Sequence, residues 1–210
     1  MTKLGIFNET GGSETRVAVT PDALKRFQKL EISLIVQSNA GLEAGYDDEA
    51  FRAAGAEVVD DAERIWSESD IIVVLNPPAP ELITKMKPGA ILMGLVRAVN
   101  QPELMEACQQ HKVTVMAFEA VPRTSRAQSV DALSAMGNLG GYKAVLLGAM
   151  HSVKLFPLMM TAAGTLQPAK VFIIGVGVAG LQAIATAKRL GAKVEAYDVR
   201  PAVKEQVESL

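Results

Sequence analysis

The sequence is poor in the residues that build disulfides and metal sites. Its 210 residues include one cysteine and two histidines, so no internal disulfide framework can form and a Cys and His metal site is disfavoured. Cys108 lies in an apolar helical stretch, where a packing role is expected. The net charge is −2 and the pI is near 5.8, without the basic excess that binds nucleic acid. A reducing compartment and no nucleic-acid partner are predicted.

Long hydrophobic runs are also absent. Residues 1–9 lack the apolar segment of a signal peptide. The longest apolar stretch, residues 144–160, is interrupted by His151, Lys154 and Pro157, so we predict that it does not insert into a bilayer. Hydrophobic residues make up 49% of the chain and charged residues 21%, which is enough to bury the core of one large or two small domains.

A glycine-rich segment is the most informative motif. An apolar run at 171–174 predicts a buried strand, which leads into Gly175-Val176-Gly177-Val178-Ala179-Gly180 and then an alanine-rich helix. In a dinucleotide-binding turn the first glycine permits the tight turn, the second lets the backbone approach a pyrophosphate, and the third lets the helix pack on the strand. Backbone N–H groups at the helix start would face the phosphates. The motif predicts part of a dinucleotide site, the alternative being a turn that binds nothing.

The acidic residue that ends the next predicted strand bears on the choice of cofactor. Asp198 follows Gly180 by eighteen residues, where a carboxylate accepts hydrogen bonds from the adenosine ribose and would repel a 2′-phosphate. NAD(H) is therefore favoured over NADP(H). Arg200 could partner a phosphate, stack on adenine, or lie in solvent as a strand-end charge.

Alternating strand and helix signals predict an α/β fold, with two Rossmann-like parallel-sheet domains joined by a long helix. We predict an N-terminal domain at 1–124, a linking helix in 125–163, and the first β-α-β part of an NAD(H)-binding domain at 164–210. A complete dinucleotide fold needs two halves, so either the chain is a fragment or another chain supplies the remaining strands. Strands of the first domain are predicted at 4–7, 33–37, 57–59, 71–75, 90–93 and 113–117.

One long helix is predicted over residues 125–151. Ser125 and Gln128 have the spacing of a capping box at its start, and Asp131 could complement the helix dipole. Apolar residues follow at helical spacing, including Leu139 and Met150. Three glycines would make the helix flexible or closely packed: Gly137, Gly140 and Gly141.

Three segments can be set beside the glycine motif: Glu-Thr-Arg-Val-Ala-Val-Thr-Pro at 14–21, Pro-Arg-Thr-Ser-Arg-Ala-Gln-Ser-Val-Asp-Ala-Leu at 122–133, and Met-Thr-Ala-Ala-Gly-Thr at 160–165. Together they resemble the NAD(H)-binding alpha subunits of proton-translocating NAD(P) transhydrogenases, along essentially all 210 residues. The resemblance implies a homodimeric component at the cytoplasmic face of the inner membrane, without membrane insertion of its own. It would exchange hydride with NADP(H) held on a partner subunit, while a membrane-spanning subunit couples the exchange to proton translocation.

The resemblance also implies residue roles. Arg123, Gln128 and Asp131 would form a catalytic polar loop beside the nicotinamide, since Gln128 can bond a carboxamide and Arg123 can pair with Asp131 or reach a phosphate. The alternative roles are a capping box with Ser125 for Gln128 and a first-turn charge that complements the helix dipole for Asp131. The implied cofactor-binding residues are Arg126, Gln128, Ser129, Asp131, Ser134, Tyr142, Gly175, Val176, Gly177, Val178, Ala179, Gly180, Asp198, Val199 and Arg200.

Two other functions stay open. Alanine dehydrogenase resembles this family and shares the segment around Arg16, which would hold a substrate carboxylate there. Amino-acid oxidation also requires groups that activate a carbonyl and move protons. The histidine and lysine positions of that enzyme hold Arg97 and Leu75 here, which argues against this activity. The third hypothesis is a truncated NAD-binding module without turnover.

Overall fold

The computed structural model of the protein describes residues 1–27, 30–122 and 124–209. The chain divides into two compact units, Met1–Pro122 and Arg123–Leu210. The long helix predicted to link two domains belongs to the second unit, where it packs on the helix after the glycine motif.

The first unit is built on a six-stranded parallel sheet in the order β3-β2-β1-β4-β5-β6. The predicted parallel α/β architecture is confirmed, and every strand bound lies within one or two residues of its prediction. The order reverses between β1 and β4, whose carboxyl ends therefore flank a crevice. The strands are β1 Thr2–Ile6, β2 Ile32–Gln37, β3 Ala56–Val59, β4 Ile71–Val74, β5 Ile91–Gly94 and β6 Thr114–Ala117.

Helices cover this sheet and bury its apolar side chains. The central strands carry fully buried Ile6, Ile35 and Ile72, as expected for parallel strands covered on both faces. Asp47 begins α2 by accepting a hydrogen bond from the Ala50 N–H at 2.9 Å. The helices are α1 Pro21–Phe27, α2 Asp48–Ala53, α3 Ala62–Glu68, α4 Pro80–Ile83 and α5 Pro102–Gln110.

The second unit combines a long helix with a two-stranded parallel sheet and a separate hairpin. One face of the sheet packs on α7, and α6 packs on α7 and contributes Val145 to the same apolar cluster. A 3-10 helix, Ser125–Val130, precedes α6. The elements are α6 Ala132–His151, β7 Met159–Thr161, β8 Gly164–Leu166, β9 Lys170–Ile174, α7 Val178–Arg189, β10 Lys193–Tyr197 and α8 Lys204–Glu208.

Two features of this unit differ from the sequence predictions. The α-helix begins at Ala132 and not at Ser125, because Asp131 caps it through the Ser134 N–H and hydroxyl, at 2.9 and 2.6 Å. The predicted capping box of Ser125 and Gln128 therefore does not start the helix. The antiparallel hairpin β7–β8 was not predicted, since each strand has only three residues and none is buried.

No helix in the described parts of the chain has both the length and the apolar character needed to cross a membrane. The same residues contain no group of three or more His, Cys, Asp or Glu side chains arranged to hold a metal ion.

Candidate functional site

The glycine motif forms a tight turn between β9 and α7. Gly175 has φ of +90°, a conformation that favours glycine, and its N–H donates to the Tyr197 carbonyl at 2.8 Å. At Gly180 a Cβ atom would lie 1.9 Å from the Gly175 carbonyl oxygen, so a side chain there would push the helix off the turn. Gly177 is the N-cap of α7, and a Cβ at Gly177 would meet nothing within 4 Å.

This geometry is suited to a phosphate. The first N–H groups of a helix have no partner within the helix and attract anions. The open space beside Gly177 lets a ligand approach the backbone, as a pyrophosphate in a dinucleotide site does. The turn therefore fits the phosphate-binding part of a dinucleotide.

Asp198 is tied to this turn by hydrogen bonds. Its carboxylate accepts from the Val176 N–H at 2.7 Å and from the Arg200 N–H at 2.8 Å. The Arg200 side chain donates to both carboxylate oxygens, with Nε at 2.9 Å and Nη2 at 3.0 Å, and Nη2 also donates to the Val176 carbonyl at 3.2 Å. These bonds, with Arg200 first, hold the pKa of Asp198 well below its usual range. Asp198 is thus ionised at neutral pH and joins the loops after β9 and β10.

The same bonds limit what Asp198 can accept. A carboxylate offers about four acceptor positions, and four N–H groups already occupy them. Two of the four belong to the Arg200 side chain, which can move because it is 58% exposed, whereas the Asp198 side chain is only 7% exposed. Ribose hydroxyls can therefore take the places of the guanidinium while the two backbone N–H groups keep the carboxylate in position. Neighbouring Val199 is exposed.

The polar segment before α6 was predicted to lie beside the nicotinamide. Arg126, Gln128 and Ser129 lie on the 3-10 helix with their side chains partly or fully exposed, and Asp131 and Ser134 bond to each other at the start of α6. Asp131, predicted as a charge that complements the helix dipole, is thus the N-cap residue of α6. Arg123 falls outside the described residues, so its role stays a prediction.

A close helix contact places α6 against the glycine motif. Gly141 is buried on α6, and a Cβ there would lie 2.1 Å from the carbonyl oxygen of Ala179. Tyr142, the next residue, is 47% exposed. Only a glycine lets α6 approach the glycine motif this closely. The sequence had offered three glycines for such a contact without distinguishing among them.

A groove of about 500 Å³ also lies in this unit, along α6, α7 and α8. Val178 is the only residue that it shares with the glycine motif, and Gln182, Ala185 and Arg189 line its far end. Its walls are helix sides and not the carboxyl ends of strands, where nucleotides bind in such folds. We therefore assign the candidate site to the turn and not to this groove.

The first unit has a second polar cluster at the reversal of strand order. The Glu9 carboxylate accepts from the Leu75 and Asn76 N–H groups at 2.8 Å, and burial raises the pKa of Glu9. Glu14 accepts from the Asn76 side chain at 2.9 Å and from Arg16 through both carboxylate oxygens, at 2.8 and 2.7 Å. Arg16 first, and then Asn76, lower the pKa of Glu14 to about 2. Sequence reasoning had selected Arg16 but missed both glutamates that surround it.

Two family models match consecutive parts of the chain. The family model "Alanine dehydrogenase/PNT, N-terminal domain" matches residues 5–140, and the corresponding C-terminal domain model matches residues 144–210. The chain belongs to the alanine dehydrogenase/PNT family. The resemblance read from its motifs is thereby confirmed.

The matches include transhydrogenase subunits at 42–47% identity and alanine dehydrogenases at 29%. The chain is 46% identical to an NAD(P) transhydrogenase subunit alpha polypeptide of Rhodospirillum rubrum, over 99% of this chain and 56% of that protein. The crystal structure of transhydrogenase from Sinorhizobium meliloti superposes with a TM-score of 0.93 at 40% identity, over 99% of this chain and 62% of that one. An L-alanine dehydrogenase structure superposes with a TM-score of 0.85 at 25% identity, over 99% of this chain and 58% of that one. The chain thus spans about half the length of the curated relatives that it matches.

Proposed function

We propose that this chain is the NAD(H)-binding component of a proton-translocating NAD(P) transhydrogenase. It exchanges hydride directly with NADP(H) held on a partner subunit, and a membrane-spanning subunit couples this exchange to proton translocation. The observation that carries the proposal is the turn at Gly175, with Asp198 fixed beside it, in a chain that aligns over 99% of its length with a transhydrogenase alpha subunit. The relative is named as a subunit, which supports the existence of partner subunits.

In this function the protein residues would bind the dinucleotide and orient its nicotinamide ring. When bound, the nicotinamide ring supplies the hydride chemistry, so the protein needs no general acid or base for that step. The N–H groups of Gly177 and the next residues of α7 would hold the pyrophosphate, and Asp198 would accept the adenosine ribose hydroxyls. Gln128 would bond the carboxamide and set the angle of the ring. Orientation of this kind contributes to rate by holding the two rings at reactive distance.

The alternative activity, oxidation of an amino acid, has less support in the first unit. Arg16 is engaged by Glu14 through two hydrogen bonds. Leu75, at the lysine position, contributes a backbone N–H to Glu9. Anionic Glu14 also disfavours a second carboxylate close by. We expect no NADH oxidation driven by pyruvate and ammonia.

Calorimetric titration with NADH and NADPH tests the nucleotide site. We expect selective NADH binding, and Asp198→Ala should weaken it and reduce the preference over NADPH, since the carboxylate no longer repels a 2′-phosphate. Asp61→Ala is a matched control, because Asp61 also accepts a backbone N–H, at 2.8 Å, but in the first unit. Unchanged selectivity in Asp198→Ala would remove this residue from the site.

Reconstitution tests the transfer step. The chain is combined with the NADP(H)-binding and membrane-spanning subunits of a relative, and hydride transfer from NADH to an NADP⁺ analogue is followed. Gln128→Ala should slow transfer while leaving NADH affinity largely unchanged, and Gln110→Ala, an exposed glutamine on α5, should change neither. Binding without transfer in a complete assembly would favour the non-catalytic module.

A homodimer at the cytoplasmic face of the inner membrane belongs to the same proposal, and sedimentation of the chain tests the dimer.

A further inference from the structure

The side chain of Arg200 folds back onto the carboxylate two residues before it. Its Nε donates to one oxygen of Asp198 at 2.9 Å, and its Nη2 donates to the other at 3.0 Å. Nη2 also donates to the Val176 carbonyl, on the neighbouring loop, at 3.2 Å. Two-point bonding of a guanidinium to a carboxylate is stronger than a neutral hydrogen bond. The guanidinium therefore covers both oxygens to which an adenosine ribose would donate.

This side chain can leave Asp198 without a change in the backbone. The Val176 and Arg200 N–H groups hold the carboxylate from the backbone, at 2.7 and 2.8 Å. Pro201 favours extended backbone at the residue before it, and Arg200 has φ of −95° and ψ of 113°. The Arg200 side chain is 58% exposed, so the guanidinium can rotate into solvent. Rotation of this one side chain is enough to open the carboxylate.

The two dinucleotides would meet Arg200 differently. The adenosine ribose of NADH carries two hydroxyl donors, which compete with the guanidinium for the same acceptor oxygens. The 2′-phosphate of NADPH carries acceptor oxygens and negative charge, so Asp198 repels it and a guanidinium attracts it. Arg200 thus opposes one nucleotide and favours the other.

We propose that Arg200 is a specificity-determining residue that narrows the preference of this site for NADH. Before binding it occupies the acceptor positions of Asp198 that the ribose needs, so NADH has to displace it. With NADPH the displaced guanidinium pairs with the 2′-phosphate and offsets part of the repulsion from Asp198. The inference rests on the proposed function, since it requires a dinucleotide whose ribose reaches Asp198.

The size of the effect follows from this competition. A site that an internal group occupies part of the time has its apparent affinity lowered by the fraction of time for which it is open. Ion pairs with an exposed partner are only modestly favoured over their open form, so Arg200→Gln should bind NADH about twofold to fivefold more tightly, and NADPH more weakly. Arg200→Lys should fall between the parent and Arg200→Gln, because an ammonium lacks the planar fork that bonds both oxygens.

Calorimetric titration of the parent chain, Arg200→Gln and Arg200→Lys with NADH and with NADPH tests the inference. Arg64→Gln is the matched control. Arg64 also donates to carboxylates, to Glu68 at 2.6 Å and to Glu57 at 2.8 Å, but it lies in the first unit. This control should change neither affinity.

A second measurement follows the displacement itself. The Nε–H signal of Arg200 in nitrogen NMR spectra is assigned by its loss in Arg200→Gln. Without nucleotide this proton should exchange slowly with water, because it is bonded to Asp198. Saturation with NADH should make the exchange faster.

Three results would overturn this inference alone, provided that the parent chain binds NADH. The first is weaker NADH binding by Arg200→Gln, which would make Arg200 a ligand of the adenosine. The second is an equal change, or none, in the affinities for NADH and NADPH, as a purely structural role would give. The third is an Nε–H that stays protected at saturating NADH. Failure of every one of these chains to bind NADH would instead refute the proposed function, and this inference with it.

Discussion

Replacement of Gly141 by alanine should destabilise the second unit, although alanine is the better helix former. In an open helix position the exchange stabilises by about 1 kcal/mol. At Gly141 the new Cβ would lie 2.1 Å from the Ala179 carbonyl oxygen, and this neighbour is backbone that cannot rotate away. Overpacking of this kind costs about 1–3 kcal/mol. Gly140→Ala is the matched control, since its Cβ would meet nothing within 4 Å. The two variants should therefore differ by about 1–3 kcal/mol.

Urea unfolding followed by far-ultraviolet circular dichroism measures this difference. The chain has two compact units, so amide exchange in α6 and α7 should also be measured. This second measurement shows whether the lost stability belongs to the second unit. Gly141→Ala should show faster amide exchange in both helices and bind NADH more weakly, since Ala179 belongs to the turn that is proposed to bind the phosphates. Equal stability of Gly141→Ala and Gly140→Ala would refute the close contact.

Three further results are expected. Gly177→Ala should keep the fold, because its Cβ would meet no atom within 4 Å. Calorimetry should nevertheless show NADH binding weakened about tenfold or more, a loss of about 1.4 kcal/mol. Gly180→Ala should instead lower the unfolding midpoint. Asp131→Ala should cost about 0.5–2 kcal/mol through loss of the helix cap, seen as faster amide exchange in the first turn of α6. Arg16→Gln should raise the pKa of Glu14 from about 2 towards its ordinary value near 4.5. A carboxylate whose pKa is lowered in the folded state stabilises the fold above pH 4.5, and this contribution is lost as the pH falls towards 2. The difference in unfolding free energy between parent and variant should therefore be present above pH 4.5 and disappear towards pH 2.

The regular α/β pattern was predictable because its signals are local. Short apolar runs between turns placed the strands of the first unit to within two residues, and the glycine spacing identified the turn at Gly175. Each signal lies within a few residues of sequence. No comparable signal gave the strand order, although the predicted parallel sheet limited the choices.

The features that escaped prediction depend on contacts between distant residues. Helix α6 is apolar around most of its circumference, so its sequence did not show that Leu139 and Met150 are exposed while Gly141 and Val145 are buried. The predicted start of α6 was wrong for a related reason. Residues with capping character occur at Ser125 and again at Asp131, and only the folded structure shows that Asp131 caps the helix. The partners of Arg16 and Asp198 include side chains and backbone groups whose pairing no local pattern records.

The bond between Val176 and Asp198 has a consequence for how nucleotide preference can change. In the proposed function, one carboxylate would both favour an unphosphorylated ribose and hold the turn that receives the phosphates. A single exchange towards a residue that tolerates a 2′-phosphate would release the turn as well as alter selectivity. A lineage that moved from one nucleotide to the other would first have to acquire a different acceptor for the Val176 N–H. Under the proposed function, selection for a stable fold would therefore also preserve the choice of coenzyme.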